Sequence, residues 1–278
     1  MRLTGRARLA GVVGWPVAHS RSPLLHNHWL ARHGIDGAYV PLAVPPDRLE
    51  TALRGLQAAG FAGVNVTVPH KQAAASLCDV LDASARDTGS ANTLVFAPDG
   101  RIAGSSTDGH SFLASLRAAG IDPAAGPALL LGAGGAARAI AAALLACGVP
   151  VAVANRTEAR AEALAQACPG VTPVPWSGWC DRLGAVALLV NTTSLGMTGQ
   201  APLPADLSRA PAGLVVADIV YAPRETGLLA QARARGLRTV EGIGMLAHQA
   251  VPGFAAWFGI EPVVDDAVLA LLSDAPAG

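Results

Sequence analysis

The stretch Ala128-Leu129-Leu130-Leu131-Gly132-Ala133-Gly134-Gly135-Ala136-Ala137 decides how this chain is read. Four apolar residues suit a buried strand, the glycines suit a tight turn, and the alanine-rich run toward Cys147 suits a helix. A lone GxGxxG is weak, but Gly132-x-Gly134-x-x-Ala137 stands in the strand–turn–helix setting that gives it meaning. Gly132 permits the turn, Gly134 lets backbone amides approach a pyrophosphate, and Ala137 allows close helix–strand packing. Ala133, Gly135 and Ala136 complete a loop whose helix start offers unpaired N–H groups and positive dipole to phosphate. The competing reading is a tight turn that binds nothing.

The next apolar segment, Val151–Ala154, reads as the second strand, and the residues after it select the cofactor. An NAD site places an acid there for the ribose 2′-hydroxyl. This chain instead has Asn155-Arg156-Thr157-Glu158-Ala159-Arg160. Arg156 can pair bidentately with a 2′-phosphate, Asn155 and Thr157 can add hydrogen bonds, and Arg160 lies within reach on the first helical turn. Thr157 also reads as a helix N-cap with both arginines solvated, and the two roles are compatible. NADP is favoured over NAD.

The same alternation of short strands and helices runs through most of the chain, the pattern of an α/β protein with mainly parallel sheets. Leu9–Gly14, Ala38–Val44, Phe61–Val68 and Asn92–Ala97 read as strands of a first unit, with helices at Pro23–His33 and Pro46–Ala59. Gly100–Gly109, rich in Gly, Ser and Thr, reads as a crossing between domains. Beyond the glycine loop, strands recur at Ala185–Asn191, Leu214–Val220 and Arg238–Glu241. The last helices, Met245–Phe258 and Pro262–Ser273, have no strands between them and are expected to return to the first unit. The expected division is a substrate domain over 1–107, a Rossmann-type domain over 108–243, and returning C-terminal helices over 244–278, with a cleft between the domains.

Composition narrows the classes. The 278 residues are 51% hydrophobic and 14% charged, enough apolar surface for two ordinary cores. Zero formal net charge gives no sign of broad attraction to nucleic acid or an anionic membrane. No apolar run reaches spanning length, and the basic-then-apolar start reads as structural because Pro16 and a motif follow it. Cys78, Cys147, Cys168 and Cys180 lack CxxC spacing; Cys78 and Cys147 fall in apolar helical patterns and read as small core residues. His26 and His28 form an HxH pair without a supporting Cys or carboxylate cluster, so no metal is expected. A cytoplasmic, thiol-reduced protein is the expectation. The chain selects neither a monomer nor a homodimer.

Lys71 is the single lysine; the other nineteen basic residues in the Lys+Arg total of 20 are arginine. Where charge alone suffices, such a chain uses arginine. An ammonium can release and regain a proton and a guanidinium cannot, so Lys71 is the leading proton-transfer candidate. The alternative is an ordinary exposed helix lysine. Near the N-terminus, Ser20-Arg21-Ser22-Pro23 fits the first turn of a helix, where two hydroxyls could hold a carboxylate or Ser22 could simply cap. Asp108 before Gly109 reads alone as a turn residue or an N-cap.

Further runs are Asn65-Val66-Thr67-Val68-Pro69-His70-Lys71, Asn92-Thr93-Leu94, Thr107-Asp108-Gly109 and Gly242-Ile243-Gly244-Met245-Leu246-Ala247-His248-Gln249-Ala250. With Gly14-Trp15-Pro16-Val17-Ala18-His19-Ser20-Arg21-Ser22-Pro23, the glycine loop, Asn155-Arg156-Thr157, Asn191-Thr192-Thr193-Ser194-Leu195-Gly196-Met197 and Asp218-Ile219-Val220-Tyr221-Ala222-Pro223, their order closely resembles the shikimate dehydrogenase family. The resemblance covers about Gly11 to Trp257. It implies an NADP-dependent oxidoreductase interconverting 3-dehydroshikimate and shikimate, with a discontinuous substrate domain. It also implies that Ser20 and Ser22 bind the substrate carboxylate with help from Tyr221. Thr67, Asn92, Asp108 and Gln249 would bind ring hydroxyls, and Lys71 and Asp108 would form the catalytic pair. Ile219 and Gly242 would lie against the cofactor near the nicotinamide. Three positions depart from the family pattern: Ser106 for asparagine, Ser111 for glycine and Ala91 for valine. Competing functions are a shikimate/quinate dehydrogenase with relaxed specificity and a ligand-binding paralog without useful turnover.

Overall fold

The computed structural model describes residues 3–274, which form two compact units. One runs to Thr107 and resumes at Gln249; the other is Asp108–His248. The first carries strands β1 (Arg8–Gly14), β2 (Gly37–Ala43), β3 (Gly63–Val66), β4 (Val80–Leu81), β5 (Thr93–Phe96) and β6 (Ile102–Ser105). Its helices include α1 (Ser22–Arg32), α2 (Leu49–Ala58), α3 (Lys71–Ser76) and α4 (Ala83–Thr88). The apolar part of the basic-then-apolar opening stretch lies in β1, a strand buried from Ala10 to Gly14.

The first sheet has the order β2-β1-β3-β5-β6-β4. It is mixed: β1 runs parallel to β2 and β3, whereas β3–β5 and β5–β6 are antiparallel. The Gly100–Gly109 segment, expected as a linker, contains β6, because β5 and β6 form a hairpin around Asp99-Gly100. Gly104, within β6, is where apolar alternation is lost from the sequence while the backbone pairing continues. The short β4 and helices α3 and α4 also fall where no periodic signal can build up.

The second unit holds α5 (Asp108–Ala118), β7 (Ala128–Leu131), α6 (Gly135–Ala146), β8 (Val151–Ala154), α7 (Glu158–Ala167), β9 (Val171–Val174), β10 (Leu188–Asn191), β11 (Val215–Asp218), α8 (Gly227–Ala234) and β12 (Arg238–Val240). All six strands are parallel, in the order β12-β11-β10-β7-β8-β9. Counted from β7 as first, this is the 3-2-1-4-5-6 arrangement of a dinucleotide-binding sheet, with its switch point between β7 and β10. The strands are continuously apolar because both faces are covered. Ala128 and Leu130 enter one core with Phe112, Leu116, Ile140 and Leu144; Leu129 and Leu131 enter the other with Trp179, Leu189 and Leu229. The β9 strand escapes the sequence reading because exposed Thr172 and Pro173 interrupt its apolar ends. The expected strand over Ala185–Asn191 is shorter, since Trp176–Ala185 is 3₁₀-helical.

Helix α9 (Gly242–Phe258) starts earlier than the expected Met245, and α10 is Asp266–Asp274. The division between the units falls within α9, between His248 and Gln249, beyond the boundary after Ile243 read from the sequence. The early turns of α9 pack in the second unit: a Cβ on Gly244 would already meet Ser115 Cβ at 3.2 Å.

Candidate active site

In the first unit, Thr67 follows β3, and its N–H donates to Val13 O at 2.9 Å. Lys71 begins α3 and is half-buried; its carbonyl accepts from Ala91 N at 2.9 Å. The preceding His70 is buried with Nε2 2.8 Å from Val44 O. A carbonyl only accepts, so that ring nitrogen carries the proton. Ser22 is the first residue of α1, with Pro23 in the first turn; the capping position is Arg21, without a side-chain cap. Ser22 is thus not the N-cap. Its N–H donates to Ser20 Oγ at 3.3 Å, which holds the two serines together.

Register brings the polar residues of this unit into one network. Asn65 pairs with Thr93 across β3–β5, and Thr93 with Ser105 across β5–β6. Asn92 Oδ1 accepts from Thr107 N at 2.9 Å, and its Nδ2 donates to Thr107 Oγ1 at 3.1 Å. Thr107 Oγ1 donates to the Gln249 carbonyl at 3.1 Å, tying the end of β6 to the returning part of α9. Asn65 Nδ2 donates to Asn92 O and Thr93 Oγ1, both at 3.1 Å, and Tyr39 Oη donates to Asn65 Oδ1 at 2.6 Å. Tyr39 also hydrogen-bonds Ser22. One chain of bonds therefore joins Ser22, Asn92 and Gln249 through Tyr39, Asn65, Thr93 and Thr107. The linking residues were assigned no role from the sequence; among them Asn65, a polar residue inside an apolar strand, was the one with a signal.

His26, fully buried, stacks on the Tyr39 ring at 3.9 Å between centroids. Burial pushes its pKa down to about 3, so it is a neutral packing group. Among the described residues, no cluster of three His, Cys, Asp or Glu side chains could hold a metal.

In the second unit, Gly132 follows β7 at φ +108°, and its N–H donates to Ala154 O at 2.8 Å. Gly134 occupies the capping position of α6 with no side-chain cap, followed by Gly135, Ala136 and Ala137. A Cβ on Gly134 or Gly135 would meet nothing within 4 Å. A helix start without a side-chain cap and with open space at its glycines fits a pyrophosphate. Asn155, Arg156, Thr157 and Arg160 follow β8, and both arginines are exposed. Asn155 Nδ2 donates to Thr157 O at 2.8 Å, and Thr157 caps α7 by position without a side-chain bond. The Thr157 hydroxyl is thus not engaged as a cap. These residues fit a nucleotide bearing a 2′-phosphate.

Across the switch point, Asp218 ends β11 and is 2% exposed. Its Oδ1 accepts from Val220 N and Asn191 Nδ2, both at 3.0 Å, and Oδ2 from Thr226 Oγ1 at 2.7 Å. Burial raises its pKa, against the lowering effect of these three donors. Asn191 Oδ1 in turn accepts from Thr193 N and Oγ1. This lattice fixes the loops that follow β10 and β11, including Ile219 and the half-buried Tyr221. Ile219 N donates to Asn191 O at 3.1 Å. Gly242, at the start of α9, lies flat against the Ile219 and Val220 carbonyls, where no side chain fits.

Asp108 is the first residue of α5 and 2% exposed, a helical position rather than a cap. At the departures from the family pattern, Ser111 Oγ donates to Asp108 O at 2.8 Å, and Ser106 N donates to Ser84 Oγ at 2.8 Å. Ser106 Oγ is buried with no partner among the described residues.

Residues 12–94 match the family of the shikimate dehydrogenase substrate binding domain, and 119–195 that of shikimate / quinate 5-dehydrogenase. The chain is 62% identical to the shikimate dehydrogenase (NADP(+)) of Acidiphilium cryptum, over 96% of each chain. It superposes on the Thermus thermophilus shikimate 5-dehydrogenase, solved with NADP(H) and shikimate, with TM-score 0.86 and 38% identity over 96% of this chain and 98% of that one. It also superposes on a Corynebacterium glutamicum quinate dehydrogenase solved with NAD, with TM-score 0.87 and 31% identity over 96% and 97%. With both halves matched and near-complete coverage at this identity, the chain belongs to the shikimate dehydrogenase family.

Proposed function

We propose that this protein catalyses the reversible NADP-dependent reduction of 3-dehydroshikimate to shikimate, on the route to aromatic amino acids. The observation that carries the reading is the single hydrogen-bonded frame joining Ser22, Asn92, Thr107 and Gln249, polar groups suited to a carboxylated, polyhydroxylated ring. NADPH, when bound, supplies the hydride that reduces the ketone carbon. Lys71 stabilises the alkoxide that forms and donates its proton, then takes it back in the reverse direction. Asp108 accepts from a ring hydroxyl and orients the Lys71 ammonium. Ser20, Ser22 and Tyr221 hold the carboxylate, while Thr67, Asn92 and Gln249 hold ring hydroxyls. The glycine loop receives the pyrophosphate, and Asn155, Arg156, Thr157 and Arg160 receive the adenosine 2′-phosphate. Ile219 and Gly242 would lie against the cofactor near the nicotinamide.

No described helix is long and apolar enough to cross a membrane. The four cysteines carry free thiols, which supports a reducing, cytoplasmic setting.

The test is NADPH consumption by the purified protein with 3-dehydroshikimate, and NADP reduction with shikimate against quinate, each repeated with NAD. Turnover strongest with shikimate and NADP is expected. Tight shikimate binding without turnover would instead indicate a ligand-binding paralog. Lys71→Met should lower kcat by about 10²–10⁴-fold while shikimate binding changes less than about tenfold. Lys71→Arg should not restore it.

A further inference from the structure

We infer that Arg21 is a positioning residue of the carboxylate site, fastening the Ser20–Ser22 turn to the C-terminal end of α10 rather than meeting the anion itself. This role rests on the reading of Ser20 and Ser22 as carboxylate ligands.

An arginine between two serines at the start of a helix has the look of a third ligand for the same anion. Its surroundings direct it elsewhere. Arg21 holds the capping position of α1, beside the positive end of that helix dipole, the unfavourable end for a cation. Its Nη1 donates to Leu272 O at 2.8 Å. Leu272 lies in the last turn of α10, the negative end of that helix, where a cation is favoured. The bond from guanidinium to carbonyl is charge-assisted and stronger than a neutral one. Arg21 is half-buried, so solvent screens it only in part.

Helix α10 is held where it can receive this bond. Nine residues are too few for a helix to persist by itself, so α10 depends on what it packs against. It packs on α1, and Val268 and Leu272, four apart and so on one face, are fully buried. Arg32, in the last turn of α1, donates to Asp265 Oδ2 at 2.6 Å, and Asp265 Oδ1 accepts from Val268 N at 3.0 Å. Residue 21 thus meets 272 while residue 32 meets 265, so the two helices run antiparallel and are tied at both ends. The Ser20–Ser22 turn is closed by Ser22 N on Ser20 Oγ and held on one side by the bond between Ser22 and Tyr39. Arg21 holds it on the other, and the turn cannot shift without drawing that side chain from α10.

Two substitutions cut this tether from opposite ends. Arg21→Met keeps an apolar stem and removes the guanidinium. Ser273→Pro leaves every charge in place but drives Leu272, the residue before it, out of helical backbone and turns its carbonyl away. Each should raise KM for shikimate about three- to tenfold, as the fraction of molecules with both serines in place falls to about a third to a tenth. Their kcat and KM for NADP should stay within about twofold. The inhibition constant of a shikimate analogue lacking the carboxylate should not move. In a double-mutant cycle the two losses should not add, because both break one bond. A raised KM in Arg21→Met with an unchanged one in Ser273→Pro would mean that Arg21 meets the anion directly, and would overturn the inference. An unchanged KM in Arg21→Met, additive losses, a parallel fall in kcat, or an equal loss for the analogue would overturn it too. Ser22→Ala separates the two claims. If it leaves the shikimate KM unchanged, the carboxylate reading itself fails. If it raises that KM and Arg21→Met does not, only the role of Arg21 fails.

Discussion

Arg156→Ala tests where cofactor choice resides. Gly132 N donates to Ala154 O at 2.8 Å, so the Asn155–Thr157 loop starts beside the glycine turn. A nucleotide with its pyrophosphate at the α6 start would present its ribose there. A charge-assisted hydrogen bond contributes about 1.5–3 kcal/mol. Arg156 is exposed, so the lower end applies: about 1.5 kcal/mol, or roughly tenfold in affinity. Arg160 is also exposed on the first turn of α7, so Arg156→Ala/Arg160→Ala should lose more, toward a hundredfold if both engage the phosphate. NADH lacks the 2′-phosphate and should be almost unaffected. The assay is the steady-state KM for NADPH and NADH in parent, single and double variants at two ionic strengths. The parent preference for NADPH should weaken with salt, and the Arg156→Ala preference should weaken less. Equal losses for the two cofactors would refute the assignment and give Arg156 a role in the loop or at the pyrophosphate.

Asp218 gives a pH prediction. Burial raises its folded pKa, so the folded state holds that proton more readily than the unfolded one. Its contribution is full below about pH 4, the unfolded value, and is lost as pH rises through the raised folded value. Asp218→Asn removes this dependence while keeping the shape, so the Tm of the parent minus that of the variant should fall as pH rises from about 4. A difference that grows with pH would mean that the three donors outweigh burial. Ser106→Ala removes a buried hydroxyl with no partner among the described residues, so stability should hold or rise by up to about 1 kcal/mol, read by denaturant titration. A loss larger than that would show that the hydroxyl has a partner, such as an ordered water.

Most of the second unit, β9 aside, was legible because its signals are local. Strands covered on both faces are written as uninterrupted apolar runs, and the glycine turn between β7 and α6 must lie next to them in sequence. The arginines proposed to select the nucleotide come just after the next strand. The first unit was legible only in part. Its antiparallel hairpin passes through Gly104, its short helices give too few turns for periodicity, and its mixed sheet pairs strands that are not neighbours in sequence. Lys71 stood out by composition alone, whereas Tyr39 carried no signal: an aromatic residue in a strand reads as core. Only the register of β3 against β5, and of β5 against β6, places Asn65, Asn92 and Thr107 where one hydrogen-bonded frame can form. The residue types that can do the chemistry are a property of the chain. Which hydroxyl donates and which accepts depends on partners far apart in sequence, so tertiary structure alone decides it.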